Sequence, residues 1–326
     1  IPTSASTKMN SRILITGSSG FIGYHLAEKL LKENFSIIGI DSLNDYYDVE
    51  LKKNRTSNLE KFKKFKFHEF NICDNAKLRA LCKKEKPDLI IHLAAQAGVR
   101  YSNQNPIAYF ESNIFAFHNI IEQAKEHNIK LIYASSSSVY GDEKRIPFKE
   151  TFSTRPLSLY GATKKINEII TDFYFKSFSL NAVGLRFFTV YGSYGRPDMA
   201  YFKFSDLIKS GRPITVFNRG KMSRDMTYID DLCDGIIACI EKNFSSHQIF
   251  NLGNNKPVKL LNLISLIEQY FNKRAIIEFK NSEIEIEETF ADLTKSRDLL
   301  GYNPKIGFED GMKEFLKWHS KINNKK

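Results

Sequence analysis

The chain has 326 residues, of which 42% are hydrophobic and 26% are charged, and its formal charge is +11. This is the composition of a globular protein with a sizeable core, built as one large domain or two intertwined ones. No apolar stretch approaches the roughly 20 residues of a membrane span, and Lys and Arg are interspersed with Asp and Glu, so the sequence argues against a membrane protein and against a nucleic-acid partner.

Targeting segments and metal sites are not evident either. The N-terminus lacks the basic-then-apolar layout of a signal peptide, so we expect a cytoplasmic protein. We also expect residues 1–8 to be foreign to the native chain, with Met9 as its natural start. The 4 cysteines show no paired spacing and the 7 histidines include no close pair, so we expect reduced thiols and no metal.

From Ser11 onward, short apolar runs alternate with amphipathic stretches in β-α-β-α order. The segments are "RILIT", "FIGYHLAEKLLKE", "SIIGI", "FKFHEF", "AKLRALCKKE", "DLIIHLAA", residues 106–127 and "KLIYASS". Strands separated by helical crossovers must pair in parallel with both sheet faces covered, which explains their nearly continuous apolar runs. The pattern predicts an α/β fold with a doubly wound parallel sheet.

After "NAVGLRFFTVYG" (181–192) the pattern loosens, with a helix near 199–209 and shorter strands at "ITVF" and "QIFNL". These elements predict a smaller α+β, substrate-binding C-terminal part. We expect the first domain to span 9–186, completed by segments near 213–240 and 287–300. The smaller part is expected to span 187–212 and 241–326.

The first strand ends in a glycine-rich turn, "TGSSGFIG", which contains Gly17, Gly20 and Gly23. Glycines between a strand and a helix allow a tight turn and the close approach of a pyrophosphate to the helix N-terminus, as in Rossmann-type dinucleotide sites. Asp41 ends the second strand, where a carboxylate accepts from ribose hydroxyls and repels a 2'-phosphate. The spacing favours NAD over NADP, the alternative being a turn without a ligand.

Tyr160 and Lys164 in "LYGATKK" lie one turn apart at the start of a long amphipathic stretch. Tyr140 and Lys144 have the same spacing, but they lie in a loop that contains Gly141. A phenol titrates near pH 10, and an adjacent ammonium favours the phenolate, so Tyr160 is a candidate base. The alternative is an exposed helix tyrosine beside a solvated lysine.

Together, "TGSSGFIG", "ASSSSVYG" (134–141) and "YGATK" resemble the extended short-chain dehydrogenase/reductase family from Met9 to the end of the chain. The resemblance implies a serine hydroxyl beside the catalytic tyrosine, and alignment on "VYG" puts it at Ser136. It also implies an NAD site. Besides Tyr160 and Lys164, the cofactor-binding positions it implies are Gly17, Gly20, Phe21, Ile22, Gly23, Asp41, Ser42, Asn44, Asn71, Ile72, Leu93, Ala94, Ala95, Asn113 and Phe188.

Dehydratases and decarboxylases of this family typically carry acidic residues before "VYG", whereas this chain has Ser137 and Ser138. The simplest remaining chemistry is epimerisation. "DSLNDYYDVELK", "LRFFTVYGSYGRPDMA" and "GKMSRDMTYIDD" are similar to segments of UDP-glucuronate 4-epimerases, which convert UDP-glucuronate to UDP-galacturonate through a 4-keto intermediate. The resemblance implies a UDP-sugar substrate bound by Ser137, Ser138, Thr189, Arg196, Phe217, Arg224 and Asp292.

Several alternatives stay open at this point. Asn71 replaces the usual Asp at the adenine, and Ala97 replaces a lysine of UDP-galactose 4-epimerases. A 4-epimerase of UDP-GlcNAc or UDP-glucose, a UDP-glucuronate decarboxylase, and a non-catalytic NAD-binding sensor or scaffold would share most of these motifs. The family also implies a homodimer, with the helices of 106–127 and 157–178 at the interface.

Overall fold

The computed structural model describes residues 11–281 and 288–322, so the predicted foreign residues 1–8 and Met9 lie outside the described part. The chain forms two compact units. Described residues up to Gly141, with Ser153–Arg186 and Ile236–Phe250, form the first unit, and Asp142–Phe152, Phe187–Gly235 and described residues from Asn251 onward form the second. The predicted domain boundaries stay a prediction.

The strands of the described residues are β1 (Arg12–Thr16), β2 (Ser36–Asp41), β3 (Phe65–Glu69), β4 (Leu89–His92), β5 (Lys130–Ser136), β6 (Ala182–Phe187), β7 (Thr189–Tyr191), β8 (Ile214–Phe217), β9 (Ser223–Tyr228), β10 (Gln248–Leu252), β11 (Pro257–Lys259), β12 (Ile277–Lys280) and β13 (Glu288–Thr289). The helices are α1 (Phe21–Lys32), α2 (Val49–Leu59), α3 (Asn75–Glu85), α4 (Tyr101–Gln104), α5 (Pro106–Tyr109), α6 (Ala116–Glu126), α7 (Leu159–Phe178), α8 (Ala200–Lys209), α9 (Ile229–Ala238), α10 (Leu260–Phe271), α11 (Thr294–Leu300) and α12 (Phe308–Ile322).

The first unit is built on a seven-stranded sheet in the order β10-β6-β5-β4-β1-β2-β3. The pairs that join β3, β2, β1, β4 and β5 are parallel. The predicted Rossmann-type sheet with a smaller α+β part is confirmed. One assignment was wrong: "QIFNL" was expected in the smaller part, but it is β10 and forms an edge of the large sheet. A five-residue strand carries no sign of which distant edge it pairs with.

The large sheet is covered by helices whose apolar residues recur at helical spacing. On α6, Phe117, Ile120, Ile121 and Ala124 are completely buried in one cluster with Leu131 of β5. The i, i+3, i+4, i+7 spacing of these four side chains puts them on one helix face. Burial of this face packs α6 against β5, the strand that ends in the serine run.

The second unit contains two small sheets. In one, β9 pairs with β11, β13 and β7, and in the other β12 pairs with β8 in parallel. Buried aromatic residues of α8 and α12 pack together, with the rings of Tyr201 and Phe315 4.8 Å apart. The predicted helix near 199–209 is α8, and the predicted strand "ITVF" is β8.

Across the described residues, the helices are too short or too polar to cross a lipid bilayer.

Candidate active site

The glycine-rich turn adopts a conformation that side chains would prevent. Gly17 has φ +72°, and the amide groups of Gly17 and Ser18 donate to the carbonyl of Ile40 at 2.7 and 3.2 Å. A Cβ on Gly23 would lie 2.0 Å from the carbonyl oxygen of Gly17, and one on Gly17 would lie 2.8 Å from the amide N of Ala94. The turn is therefore pressed against both α1 and the loop after β4, which only glycine permits.

The N-terminus of α1 fits an anionic ligand. Gly20 occupies the N-cap position and makes no side-chain capping bond, and the first turn of the helix has no acidic residue. Because the first amide groups of a helix have no partner within the helix, they point outward with a partial positive charge. Phe21, Ile22 and Gly23 are these first residues, so the predicted pyrophosphate position has the expected backbone donors.

Asp41 ends β2 next to this turn. Its Oδ2 accepts from the amide of Ser19 at 3.1 Å and its Oδ1 from the amide of Leu43 at 2.9 Å. Burial raises the pKa of Asp41, while the Leu43 amide and the charge of Lys52 oppose that effect. Ser42 and Asn44 follow as exposed residues, and Lys52 donates to Asn44. The carboxylate thus belongs to the same hydrogen-bonded unit as the glycine turn.

Sequence reasoning missed a buried cation that donates a hydrogen bond to the backbone of the glycine-rich turn. Arg55 of α2 is completely buried, and its Nη1 donates to the carbonyl of Ser19 at 2.9 Å and to the hydroxyl of Tyr47 at 2.7 Å. The Ser19 and Thr56 hydroxyls are 2.6 Å apart. In sequence, an Arg on a polar helix such as α2 looks like a surface residue. Its position just after the "DSLNDYYDVELK" segment was the one sequence feature that could have indicated a role at the site.

The ends of β3 and β4 hold the other predicted cofactor residues. Leu93, Ala94 and Ala95 directly follow β4, and the hydroxyl of Thr16 accepts from the Ala94 amide at 3.2 Å. Ile72 is buried after β3. The Oδ1 of the neighbouring, exposed Asn71 accepts from the amide of Cys73 at 3.0 Å, which leaves one lone pair of that oxygen for a further donor.

Asn113 lies in a π-helical turn, Phe110–Phe115, between α5 and α6. Its Oδ1 accepts from the amide of Gln96 at 2.8 Å, and its Nδ2 donates to the carbonyl of Gln96 and the hydroxyl of Thr163, each at 3.0 Å. The buried amide therefore ties the loop after β4 to α7. A π-turn is uncommon and is frequent at functional sites, and the cofactor role of Asn113 stays a prediction.

The serine run spans the end of β5 and the turn that follows it. Ser135 and Ser136 end β5, and Ser137 and Ser138 begin a 3-10 turn, Ser137–Tyr140. The hydroxyl of Ser136 accepts from the amide of Ser138 at 3.1 Å. Ser135 and Ser136 are buried, whereas Ser137 and Ser138 are only half-buried. Four hydroxyls therefore follow one another around the end of the strand.

Lys164 projects from α7 towards the same strand end. Its Nζ donates to the carbonyl of Ala134 at 2.9 Å, and burial lowers the pKa of Lys164 to about 8. Burial, together with the positive charge of Lys164, lowers the pKa of His92 to about 3, so that imidazole stays neutral. Tyr160 is half-buried one turn earlier on α7, with its ring centroid 6.3 Å from that of Tyr109. A buried ammonium one turn from a phenol favours the phenolate.

The competing tyrosine can be set aside. Tyr140 is completely buried, and the guanidinium of Arg186 lies over its ring at 4.7 Å from the centroid. A phenol enclosed in this way has no face for a substrate. Of the two Tyr and Lys pairs with equal spacing, Tyr160 and Lys164 are the pair whose phenol is only half-buried, and their catalytic role stays a prediction.

The remaining predicted site residues lie in the second unit. Phe188 is buried with its ring 6.4 Å from that of Phe148, and Thr189 begins β7 half-buried. Phe217 ends β8 and is half-buried. Thr189 and Phe217 lie at strand ends, and Phe188 directly follows β6.

Two arginines and an aspartate complete this set. Arg196 makes a two-point ion pair with Asp198, with N to O distances of 3.0 and 2.5 Å. Arg224 of β9 donates to the carbonyl of Ser223 at 2.9 Å. Asp292 accepts from the amide of Thr294 at 2.8 Å through Oδ1. Their predicted roles toward a nucleotide sugar stay predictions.

Asp225, which the sequence did not single out, links Arg224 to Asp292. It is completely buried next to Arg224 on β9, and its carboxylate accepts from the amides of Asn254, Asn255 and Ala291 at 2.5, 3.0 and 3.0 Å. Ala291 directly precedes Asp292. Burial raises the pKa of Asp225, and the three amide donors oppose that effect.

The comparisons with known proteins agree with this geometry. Residues 13–253 match the NAD dependent epimerase/dehydratase family. An uncharacterized protein of Methanocaldococcus jannaschii is 49% identical over 311 residues, covering 94% of this chain and 95% of the relative. A probable UDP-glucuronate 4-epimerase of Rhizobium meliloti is 39% identical over 329 residues, covering 94% and 96%.

Among solved structures, UDP-glucuronic acid 4-epimerase from Bacillus cereus, in complex with UDP-glucuronic acid and NAD, is 34% identical with a TM-score of 0.89. The match covers 95% of this chain and 99% of that one. The predicted resemblance is therefore confirmed, and the chain belongs to the NAD dependent epimerase/dehydratase family.

Proposed function

We propose that this protein is an NAD-dependent 4-epimerase of UDP-sugars that converts UDP-glucuronate to UDP-galacturonate. The observation that carries the proposal is the buried Lys164 amine, bonded to the strand that delivers the serine run and one turn from Tyr160. The similarity to the Bacillus cereus enzyme over 95% of the chain supports the choice of substrate.

The glycine turn and the N-terminus of α1 would hold the pyrophosphate of NAD, and Asp41 its adenosine ribose. The turn fits this group because its glycines let the backbone fold tightly at the start of α1, where the helix offers amide donors that lack a capping side chain. Bound there, NAD would supply reversible hydride transfer at the sugar C4, which is the chemistry that a 4-keto intermediate requires.

The proton in this reaction is handled by residues of the chain. Tyr160 takes the proton of the sugar 4-hydroxyl, and the Lys164 ammonium stabilises the phenolate in a setting of low dielectric constant. Ser136 donates to the same sugar oxygen. Neutral His92, held to the Thr16 hydroxyl at 2.8 Å, adds no second positive charge beside Lys164.

A 4-keto uronate readily loses CO2, so the site must hold its carboxylate without promoting C–C cleavage. Ser137 and Ser138 are half-buried neutral donors where related decarboxylases and dehydratases carry acids. Neutral hydroxyls bind a carboxylate by hydrogen bonds and do not repel it. In the second unit, Arg224, Asp292 and Phe217 are proposed for the diphosphate, ribose and uracil, and Thr189 and Arg196 for the sugar.

The decisive experiment is chromatographic identification of the product formed from UDP-glucuronate. UDP-galacturonate is expected, with no added NAD consumed. UDP-xylose or its 4-keto precursor would identify a decarboxylase. Turnover of UDP-glucose or UDP-GlcNAc with none of UDP-glucuronate would overturn the substrate assignment.

We also propose that the protein acts as a homodimer. Large apolar side chains are exposed on neighbouring helical segments of the first unit and just before α7, and α7 packs against both α5 and the π-turn. The exposed side chains are Ile107, Phe110, Phe115, Leu157, Ile169, Phe173 and Phe178. A patch of this kind on a folded unit marks an interface, and a second copy buries an identical patch. The cytoplasmic location stays a prediction.

A further inference from the structure

We propose that the buried ion pair of Glu168 and Arg186 is a positioning device that fixes the catalytic helix α7 on the serine strand β5, acting through Ser135. This inference rests on the proposed function, because it concerns the alignment of Tyr160, Lys164 and Ser136. It gives a role to the serine of the run that the motif comparison leaves unassigned.

The ion pair has a two-point geometry that restricts the relative motion of its two side chains. Nε of Arg186 lies 2.8 Å from Oε1 of Glu168, and Nη2 lies 2.8 Å from Oε2. Each side chain is 4% exposed. Two parallel hydrogen bonds between planar groups restrict both rotation and sliding, which a single point contact does not.

Glu168 also holds the strand. The hydroxyl of Ser135 donates to its Oε1 at 2.7 Å. Ser135 lies between Ala134, whose carbonyl accepts from Lys164, and Ser136, the predicted catalytic hydroxyl. Since Lys164 and Glu168 are one turn apart on α7, two successive residues of β5 bond to two successive turns of α7. The helix can neither slide along the strand nor rotate without breaking one of these bonds.

Arg186 also contacts the 3-10 turn that follows β5. Its guanidinium lies over the ring of Tyr140, in the 3-10 turn that carries Ser137 and Ser138. One arginine of β6 therefore contacts both the helix that carries Tyr160 and the turn that carries the proposed carboxylate donors. Lys165, with its Nζ 3.7 Å from Oε2 of Glu168, adds a second, outer positive charge.

The charges of this pair are preserved despite burial. Burial alone would raise the pKa of Glu168, but the Arg186 hydrogen bonds and charge hold that pKa below its ordinary value. A buried ion pair is a weak source of stability, since well-packed apolar side chains often serve as well. Its directional bonds are suited to fixing geometry, which is what proton transfer between Tyr160, Ser136 and substrate requires.

The test compares Ser135→Ala with Ser205→Ala in the NAD-loaded protein. Ser205 is an equally buried serine in the second unit, and its hydroxyl donates to the carbonyl of Tyr201 at 2.7 Å. For Ser135→Ala we expect kcat for the UDP-sugar to fall about tenfold, with KM changed less than about twofold, because binding groups are untouched. Ser205→Ala should match wild type in both constants.

The pH dependence of kcat separates positioning from plain destabilisation. If Lys164 moves away from Tyr160, the phenolate loses stabilisation, so the acidic limb of the profile should move to higher pH in Ser135→Ala. A partly unfolded population would lower kcat without moving the limb. Ser135→Thr, which keeps the hydroxyl, should restore the wild-type limb. A folded Ser135→Ala variant with wild-type kcat and an unmoved limb would overturn the inference.

Failure of the proposed function would look different. If wild type turns over no UDP-sugar, the function fails, and amide hydrogen exchange in the first turns of α7 then decides the inference without substrate. Exchange there should be faster in Ser135→Ala than in Ser205→Ala. Equal exchange in the two variants would count against the positioning role.

Discussion

Replacement of Lys164 by Met should remove activity and yet make the NAD-free protein more stable near pH 7. Burial lowers the pKa of Lys164 from its ordinary 10.5 to about 8. At about 1.4 kcal/mol for each pH unit, keeping this amine charged in the folded state costs about 3 kcal/mol. Met has a similar length and no charge, so it removes that penalty.

One opposing effect reduces the gain. The carbonyl of Ala134, which accepts from Lys164 at 2.9 Å, loses its donor in Lys164→Met. A buried carbonyl without a donor costs about 1–3 kcal/mol, so the net gain should be about 1 kcal/mol at pH 7. Catalytic groups are often retained although they lower the stability of the folded protein, and Lys164 fits this pattern.

The pH dependence of the difference tests the reasoning directly. Because the folded-state pKa is depressed, the unfolded chain binds more protons between about pH 8 and 10.5, and wild-type stability gains from this group as pH rises through that range. The advantage of Lys164→Met should therefore be largest below pH 8 and shrink above it. Urea unfolding at a series of pH values measures the difference.

Lys176→Met is the matched control, because Lys176 lies on the same helix with a side chain that is 70% exposed. It should change the free energy of unfolding by less than about 0.5 kcal/mol. A Lys164→Met protein that is several kcal/mol less stable than wild type, by the same amount at every pH, would refute the argument.

Further outcomes follow from the same geometry. Tyr160→Phe should lower kcat by at least about a hundredfold while NAD remains bound. Product chromatography measures the turnover, and the cofactor content of the protein measures the bound NAD. Unaltered turnover would show that Tyr160 is not the base and would favour a binding protein without catalysis. Gly23→Ala places a Cβ 2.0 Å from the carbonyl oxygen of Gly17, so calorimetry should show NAD affinity reduced at least about tenfold. Gly307→Ala, at an exposed position where the added Cβ meets only ordinary contacts, should bind normally. Phe173→Glu puts a charge on a side chain that is 55% exposed on the proposed dimer face, and light scattering should report a monomer whose circular dichroism spectrum matches wild type. A persistent dimer would place the interface elsewhere.

Much of this protein follows from local features of its sequence. Glycines at 17, 20 and 23 are demanded by a close approach of backbone segments, and that steric need shows in the residue type itself. The alternation of apolar runs with amphipathic stretches predicts parallel strands because burial on both faces is a property of each strand alone. The Tyr160 and Lys164 spacing is likewise local, since one helical turn separates the two residues.

Other features needed the tertiary structure, because they depend on residues far apart in the chain. "QIFNL" pairs with β6 across more than sixty residues, which no local pattern encodes. Arg55, Glu168, Arg186 and Asp225 look in sequence like ordinary surface charges, yet each is buried and bonded to groups on other elements. Burial and partner choice are set by packing of the whole chain, and only the folded structure shows which charges became internal supports.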